Sequence, residues 1–511
     1  MAVENIKVHE ESNVAPPPSS TQSLSLPFTL YDTLFLRFPS IDWIFFYSLN
    51  AQQSEPSFFY ANVIPKLKAS LSHTLLHYPP LAGNILWPSD STIPIISYTP
   101  GDAVSVVVAE SNAEFNHFID YSVPHEATES RFLVPHLESS DSRASALALQ
   151  ITLFPNKGFS IGISIHHAAV DGRSSTMFIK AWASLCQQII MNYETTSQSV
   201  VVPSLVPELE PSFDRTLIKD PGNWNRFLLA KWCPNIANGN SDGDDNGKRT
   251  VKILPSPPRL KEAFSATSVI KPTIEEAVRA TFVLTREDLE KIKKRVFSKW
   301  DQVKDPEPEP ESESESKSTV NSSSKPPTLS SFVLACAYSV VCIAKAVHGV
   351  EKEKQKFGFW FPVDYRARLE PPIPDTYFGN CVWSHLVDAE PLDFIKEEGL
   401  VLVAKSINRK VKTLHKEEVF GKSSSRFMAL AKEGAEMLGV SMSNKFMVYE
   451  TDFGWGKPAK VDIINLDRAS NLTMGLLDSK DGDGGVEVGL VMHQKVMDLF
   501  GTIFHGGLKD E

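Results

Sequence analysis

Apolar positions in this chain switch repeatedly between a period of two and a period near 3.6, and the switches lay out alternating strands and helices. Phe159 to Ile165 alternates, with Ile161, Ile163 and Ile165 on one face. Val104 to Ala109 and Leu147 to Phe154 read as further strands. Val63 to Leu76 places Leu67, Leu71 and Leu75 at helical spacing, and Pro79 and Pro80 end that helix. Ser174 to Met191 carries Phe178, Ala181, Trp182 and Leu185 as an apolar stripe, which predicts an amphipathic helix. Ahead of these, Phe28 to Leu49 is rich in aromatics and reads as a strand followed by a short helix.

The same alternation resumes after about residue 250. Ala277 to Leu284, Lys356 to Asp364 and Val382 to Asp388 read as strands. Thr285 to Val296 reads as a helix with Thr285 as its N-cap and Asp288 three residues on. Ser330 to Val347 is a mostly apolar helix; it falls short of the roughly 20 residues a bilayer needs, Lys345 interrupts it, and it reads as a buried helix. Ser406 to Leu414 and Ser425 to Leu438 read as helices, strands are expected near Val461, Met474 and Val488, and a closing helix from Val496 to Phe504. Strands and helices mixed in both halves predict an α/β or α+β architecture in two domains.

Length agrees, since 511 residues exceed one ordinary core. Residues 1–25, with several prolines and glutamates, read as a flexible segment, followed by a first domain over 26–205, a crossover linker over 206–250 and a second domain over 251–511. Asn238 to Lys248 is polar and Gly-rich, and 304–327 is rich in Pro, Glu and Ser; neither can bury a core, and both are expected as loosely ordered surface loops. The formal charge of −11 argues against a nucleic-acid partner. Five scattered cysteines with no CxxC pair suit free thiols in a reducing compartment. With no apolar signal core or Arg-rich amphipathic pattern at the N-terminus, a cytoplasmic protein without a membrane partner is expected.

The most informative segment is Ile165-His166-His167-Ala168-Ala169-Val170-Asp171-Gly172, where the alternating strand ends and a helix is about to begin. Groups at a strand end sit at the rim of a sheet, where substrates reach them. Neighbours on a strand point to opposite faces, so His166 and His167 do not easily serve one site. Asp171 lies where it can cap the helix or bind a cation that stiffens the loop. A metal site would need a third ligand, and the other eleven histidines form no second cluster. Gly158-Phe159-Ser160-Ile161-Gly162 matches the Gly-x-Ser-x-Gly pattern of hydrolases, but it sits inside the strand rather than at a sharp turn into a helix. Three weaker segments stand apart: Asp364-Tyr365-Arg366, Thr376-Tyr377-Phe378-Gly379-Asn380-Cys381, and Asp452-Phe453-Gly454-Trp455-Gly456, whose glycines suggest a tight shaped loop.

In this order the segments resemble the plant BAHD acyltransferases. His167 to Asp171 matches that family's H-x-x-x-D, Asp452 to Gly456 matches its D-F-G-W-G, and Tyr78 to Gly83 looks like its Y-x-P-L-A-G element. Tyr377 to Cys381 resembles the Y-F-G-N-C of the subgroup that acylates anthocyanin, flavonoid and phenolic glycosides, often with malonyl-CoA. Arg279 to Val296 and His166 to Ala183 look especially like phenolic glucoside malonyltransferases; the acidic insertion at 304–327 departs from the pattern and is expected to have no catalytic role.

The resemblance implies two chloramphenicol-acetyltransferase-like domains with a solvent channel between them. It implies a monomer without metal or permanently bound cofactor, using an acyl-CoA as co-substrate. The implied donor is malonyl-CoA and the acceptor a phenolic, flavonoid or anthocyanin glucoside; a hydroxycinnamoyl-CoA donor is the alternative, and a non-catalytic binding protein of the same fold a further one. His167 is then the general base. Asp171 points away from the reaction and pairs with an arginine, for which Arg366 is the candidate. Asp452, Phe453, Gly454, Trp455 and Gly456 shape the channel. Arg173 and Arg279 are candidates for the malonyl carboxylate, which calls for a guanidinium, and Tyr377 and Asn380 for the acceptor side.

Overall fold

The computed structural model describes residues 6–18, 22–88, 91–140, 143–194, 203–232, 277–303, 328–350, 357–389, 391–414, 430, 435–467 and 472–509. The stretches at 238–248 and 304–327, expected as loose loops, lie outside the described residues. The strands in chain order are β1 (Ile6–Val14), β2 (Leu24–Pro27), β3 (Ile41–Ser48), β4 (Asn84–Leu86), β5 (Ile95–Tyr98), β6 (Val104–Ser111), β7 (His125–Glu126), β8 (Arg143–Ser145), β9 (Leu147–Phe154) and β10 (Gly158–Ile165). Then follow β11 (Ala277–Leu284), β12 (Phe357–Asp364), β13 (Val382–Ala389), β14 (Glu436–Ser441), β15 (Lys460–Ile463), β16 (Leu472–Asp478) and β17 (Val486–His493). The helices that matter below are α1 (Leu30–Leu34), α2 (Ile64–His77), α3 (Gly172–Glu194), α4 (Trp224–Trp232), α5 (Arg286–Ser298), α6 (Ser331–Val350), α7 (Gly399–Thr413) and α8 (Gln494–Lys509).

The chain divides into two compact units, each discontinuous in sequence. The first comprises 1–263, 362–383 and 445–470; the second comprises 264–361, 384–444 and 471–511. The first therefore takes two segments from the expected second domain. One contains Arg366 and Asn380 and the other contains Asp452 to Gly456.

The first unit is built on a six-stranded sheet of order β1-β6-β9-β10-β3-β15, beside a four-stranded sheet of order β2-β5-β4-β8. Strand β10 pairs antiparallel with β9 and β3, and every residue from Gly158 to Ile165 is buried. The period-two pattern was visible because the isoleucines share a face, yet the other face is covered too. The chain at Leu133 to Pro135 crosses there: Ser164 Oγ donates to the Pro135 carbonyl at 2.8 Å. A Cβ on Gly162 would strike the Leu133 carbonyl oxygen. Gly162→Ala is thus expected to destabilise the fold by about 1–3 kcal/mol through overpacking, read as a lower midpoint in urea denaturation. An unchanged midpoint would show that this crossing gives way freely.

Three expectations for this unit are corrected. Residues 1–25 include β1, a nine-residue strand paired antiparallel with β6, and the first half of β2. Strand β1 lies at a sheet edge with most side chains exposed, so its polar sequence IKVHEESNV carries no apolar period. In 28–49 the order is helix then strand: Thr29 and Asp32 form a reciprocal capping box that starts α1, and Ile41–Ser48 is the strand. The start of the expected linker is built into the unit, because Ser212 bridges to Tyr377 and Arg215 is buried. Helix α4 follows, where Asn225 Nδ2 donates to the Phe28 carbonyl at 3.0 Å.

The second unit holds a sheet of order β13-β12-β14-β16-β17-β11. Its parallel pairs are β12–β14 and β14–β16, and its antiparallel pairs include β16–β17 and β11–β17. Thr285 caps α5 with Asp288 in a full capping box, as the spacing predicts. Helix α6 is long and apolar enough to cross a membrane by length, but most of it is buried against α7 and α8. Helix α7 begins at Gly399, earlier than its sequence signal. The helix expected over 425–438 is corrected at its end, where Glu436–Ser441 is a strand held between β12 and β16; most of the rest of that stretch lies outside the described residues.

Candidate active site

Strand β10 delivers its last residue, Ile165, to the edge of a short loop that α3 closes. His166 continues inward: its N–H donates to the Ala146 carbonyl at 2.9 Å, and its Nδ1 accepts from the Ala168 N–H at 3.2 Å. His167, one residue on, lies in a turn past the end of β10 and is half-buried.

Asp171, fully buried, ends the loop and does two jobs. Its Oδ1 accepts from the Ser174 N–H at 2.9 Å, capping α3. Its Oδ2 accepts from Arg366 NH1 at 2.8 Å and from the Cys381 N–H at 3.0 Å. Burial alone would raise its pKa. The charge and hydrogen bond of Arg366, with the two backbone N–H groups, outweigh burial and hold the carboxyl below the usual carboxylate range. Capping and ion pairing, left open by the sequence, coexist on the two oxygens of one side chain.

Arg366 is fully buried and uses its whole fork. Besides Asp171 it donates to Asp364 Oδ1 at 3.1 Å, to the Tyr377 carbonyl at 3.2 and 3.1 Å, to the Gly379 carbonyl at 3.0 Å and to Ser174 Oγ at 3.1 Å. A lysine could not satisfy so many divergent acceptors. The guanidinium, 195 residues from Asp171 in sequence, therefore ties the loop before α3 to the Tyr377–Cys381 segment. A second buried arginine, Arg215, braces that segment from the other side, donating to Tyr377 Oη at 2.6 Å and the Phe378 carbonyl at 2.9 Å. Nothing in the sequence around Arg215 singled it out.

Tyr377 and Asn380, expected on the acceptor side, are both fully buried framework. The Tyr377 hydroxyl faces Arg215, and its ring centroid is 5.2 Å from the Arg215 guanidinium and 5.7 Å from that of Arg366. Asn380 Nδ2 donates to Asp32 Oδ1 at 3.1 Å and to the His167 carbonyl at 3.0 Å. Their polarity was legible in the sequence, whereas their burial depended on partners far away in the chain. Arg173, expected to meet a malonyl carboxylate, is engaged with Asp364 at 3.2 Å and Asp375 at 3.0 Å. Arg279 lies buried on β11 of the second unit.

The His167 imidazole is stacked flat on Phe35, with ring centroids 3.9 Å apart and planes 2° from parallel. Phe38 meets it edge-on at 6.1 Å and 76°. The Nδ1 atom is buried without a hydrogen-bond partner. Burial lowers the imidazole pKa from 6.5 to about 4; the carbonyls of His167 and Val170, the Asp171 charge and the Asn380 side chain pull the other way without overcoming it. Above that range the ring is neutral and free to accept a proton. Neither Phe35 nor Phe38 stood out in the sequence, since a phenylalanine in an aromatic-rich stretch reads as core.

Two candidate nucleophiles among the described residues, Ser160 and Cys381, are both buried. Ser160 is buried in mid-strand with Oγ unbonded, so its Gly-x-Ser-x-Gly pattern is a strand and not an elbow. The Cys381 thiol is buried, which pushes its pKa far up. Among the described residues no group of three or more His, Cys, Asp and Glu is placed to hold a metal ion.

The Asp452–Gly456 segment also lies in the first unit. Asp452 Oδ1 accepts from the N–H groups of Gly454 and Gly456 at 2.6 and 2.9 Å, and both glycines have φ near +100° (102° and 99°), where a side chain would be strained. Phe453 is buried against Trp182 of α3 and Tyr47 of β3, at 4.7 and 5.8 Å between ring centroids. Gln187 of α3 donates to the Asp452 carbonyl at 2.7 Å. The loop is held to the same helix that Asp171 caps.

A family model described as the Transferase family matches residues 5–221 and 245–505 of the chain. Phenolic glucoside malonyltransferase 1 of Arabidopsis thaliana is 35% identical over 514 residues, covering 99% of this chain and 98% of that protein. Malonyl-CoA:anthocyanidin 5-O-glucoside-6''-O-malonyltransferase of the same plant is 35% identical over 512 residues, covering 99% and 98%. Among solved structures, vinorine synthase superposes with a TM-score of 0.62 at 19% identity, covering 98% of each chain. That last likeness bears on the fold, which is the two-domain mixed α/β fold expected from the sequence.

Proposed function

The chain belongs to the Transferase family, the plant BAHD acyltransferases, and on that premise we propose that it moves a malonyl group from malonyl-CoA to a sugar hydroxyl of a phenolic, flavonoid or anthocyanin glucoside, with His167 as the general base. Its substrates are thus two diffusible small molecules, and the acyl-CoA is a co-substrate. The observation that carries the substrate class is 35% identity, over 99% of the chain, to two proteins named for malonyl transfer to glucosides. Neither is named for a hydroxycinnamoyl donor, and the malonyl reading is preferred on that ground. Four buried free thiols, Cys186, Cys336, Cys342 and Cys381, suit the cytoplasmic location we assign.

A thioester is already activated, so the reaction needs a stronger acceptor nucleophile and no covalent enzyme intermediate. The acceptor hydroxyl oxygen attacks the thioester carbonyl carbon while His167 takes its proton. Because Nδ1 is the buried ring nitrogen, Nε2 is the one left to face the hydroxyl. The resulting tetrahedral oxyanion collapses, the C–S bond breaks, and the CoA thiolate leaves with the proton carried by the imidazolium. The ester and free CoA are released and the imidazole is neutral again. Asp171 takes no proton in this scheme, since both its oxygens are occupied by Ser174, Arg366 and Cys381.

Release of CoA from malonyl-CoA, followed by thiol titration across a panel of phenolic glucosides and their aglycones, tests the proposal. Glucoside-dependent release is expected, with aglycones inert. Turnover with coumaroyl-CoA alone would move the donor to the aromatic class, and release without any acceptor would make the protein a thioesterase.

A further inference from the structure

His167 is joined to α1 by two independent routes, one through its backbone and one through its ring. The backbone route runs through Asp32, whose Oδ2 accepts from the Thr29 N–H and hydroxyl at 2.9 and 2.8 Å and so fixes the first turn of α1. Its Oδ1 accepts from both the N–H and the Nδ2 of Asn380, each at 3.1 Å. Asn380 Nδ2 then reaches the His167 carbonyl at 3.0 Å. Thr29, Asp32 and Asn380 are all buried. Three residues after Asp32, Phe35 lies at the C-terminal end of the same turn, 8% exposed, with its face on the imidazole. The hydrogen-bond chain fixes where the Phe35 ring stands relative to the His167 backbone. A stack within 2° of parallel at 3.9 Å then leaves the imidazole little freedom to rotate about its outer torsion.

We propose that Phe35 is a positioning residue for His167: its ring sets the plane of the imidazole and shields one face of it from water, with Asp32 and Asn380 holding the two rings in register. The proposal rests on the reading of His167 as the base. A phenylalanine that merely filled the core would contribute volume, and leucine would largely replace it. One that orients a base contributes a flat face that leucine lacks. The charged and titratable groups around the His167 loop include His166 and Asp171 on the loop itself, Arg173 at the start of α3, Asp364 and Arg366 at and after the end of β12, Asp32 on α1, and the Cys381 thiol. Phe35→Leu changes none of them, so a change in the titration of the ring reports the lost shield.

The test uses the full chain in four forms: wild type, Phe35→Leu, Phe35→Tyr and His167→Ala. The His167 ring signals are assigned by their absence from the NMR spectrum of His167→Ala and followed with pH in the other three, and kcat and KM are measured alongside. In Phe35→Leu the titration midpoint is expected to move from about 4 towards 6.5, and kcat to fall about tenfold or more with KM changed much less. Phe35→Tyr, which keeps the flat ring, should restore both. If Phe35→Leu fails to fold, the same comparison is made with Phe35→Met. A midpoint and kcat that match wild type in the leucine or methionine variant would overturn the proposal. Full activity in His167→Ala would instead overturn the base assignment, and the titration would still decide whether Phe35 shields the ring.

Discussion

His167→Ala is expected to lower kcat for acyl transfer by about 10³-fold, within the 10²–10⁴ range a positioned general base supplies. The acceptor hydroxyl is barely ionised near neutral pH, so its proton must leave as the oxygen attacks, and no other neutral base is placed on this loop. His166 is turned inward and Asp171 is held as an anion by Arg366. The loss should fall on kcat and kcat/KM together, since the proton transfer is made only in the transition state. Folding should be spared, because the group that anchors the loop is the His167 carbonyl, which alanine keeps. The measurement is CoA release from malonyl-CoA with a glucoside acceptor, beside a thermal melt. An alanine variant retaining more than a tenth of wild-type turnover would remove His167 from the role. In wild type the acid limb of kcat/KM should lie near pH 4, where the buried ring begins to hold a proton, and not near 6.5.

Arg366→Met is expected to cost about 3–5 kcal/mol of stability, the usual penalty for leaving one charge of a buried pair alone. That is a large share of the roughly 5–15 kcal/mol that holds an ordinary domain together. The variant strands Asp171 at under 1% exposure and also removes the donors of the Tyr377 and Gly379 carbonyls. Asp171→Asn should cost less, because an amide can keep the cap to the Ser174 N–H and Arg366 retains Asp364. The double variant should recover part of the loss by removing the stranded charge. The pH dependence separates this account from simple loss of packing. In wild type the Asp171 pKa is lower folded than unfolded, where it is about 3.9. The pair's stabilisation is then fully present above that unfolded value and is lost as pH falls through the lower folded one. Without Arg366 burial dominates and the folded pKa rises, so Arg366→Met should begin to take up a proton, and regain relative stability, at a higher pH. Parallel melting curves from pH 4 to 8 would show the gap to wild type narrowing on acidification; a constant gap would mean that charge is not the cause.

Much of the site was legible in the residues themselves. The alternation of Ile161, Ile163 and Ile165 located the strand, and its end located His167 and Asp171. The pairing of Asp171 with Arg366, implied by resemblance, stands in the structure at 2.8 Å. Arg173, Tyr377 and Asn380, expected to meet substrates, all have partners within the protein. Residue type shows that a side chain can bind a carboxylate or a hydroxyl, but not whether another part of the protein already occupies it. Arg173 is held by Asp364 and Asp375, Tyr377 by Arg215, and Asn380 by Asp32.

By itself the sequence determined the elements whose causes are local. The capping box at Thr285 closes over three residues, the helical stripes over three or four, and the strand alternation over two, so each acts within a single stretch of chain. Only the tertiary structure decided which stretches meet. Arg366 reaches Asp171 across 195 residues, Asn380 reaches Asp32 across 348, and β15 joins β3 although more than 400 residues lie between them. Such contacts depend on closing long loops and on shape fitting shape, for which no nearby residue carries a signal. The flat contact of Phe35 on His167 is of this kind: each residue was in plain view, and what they do to each other existed only once the chain had folded.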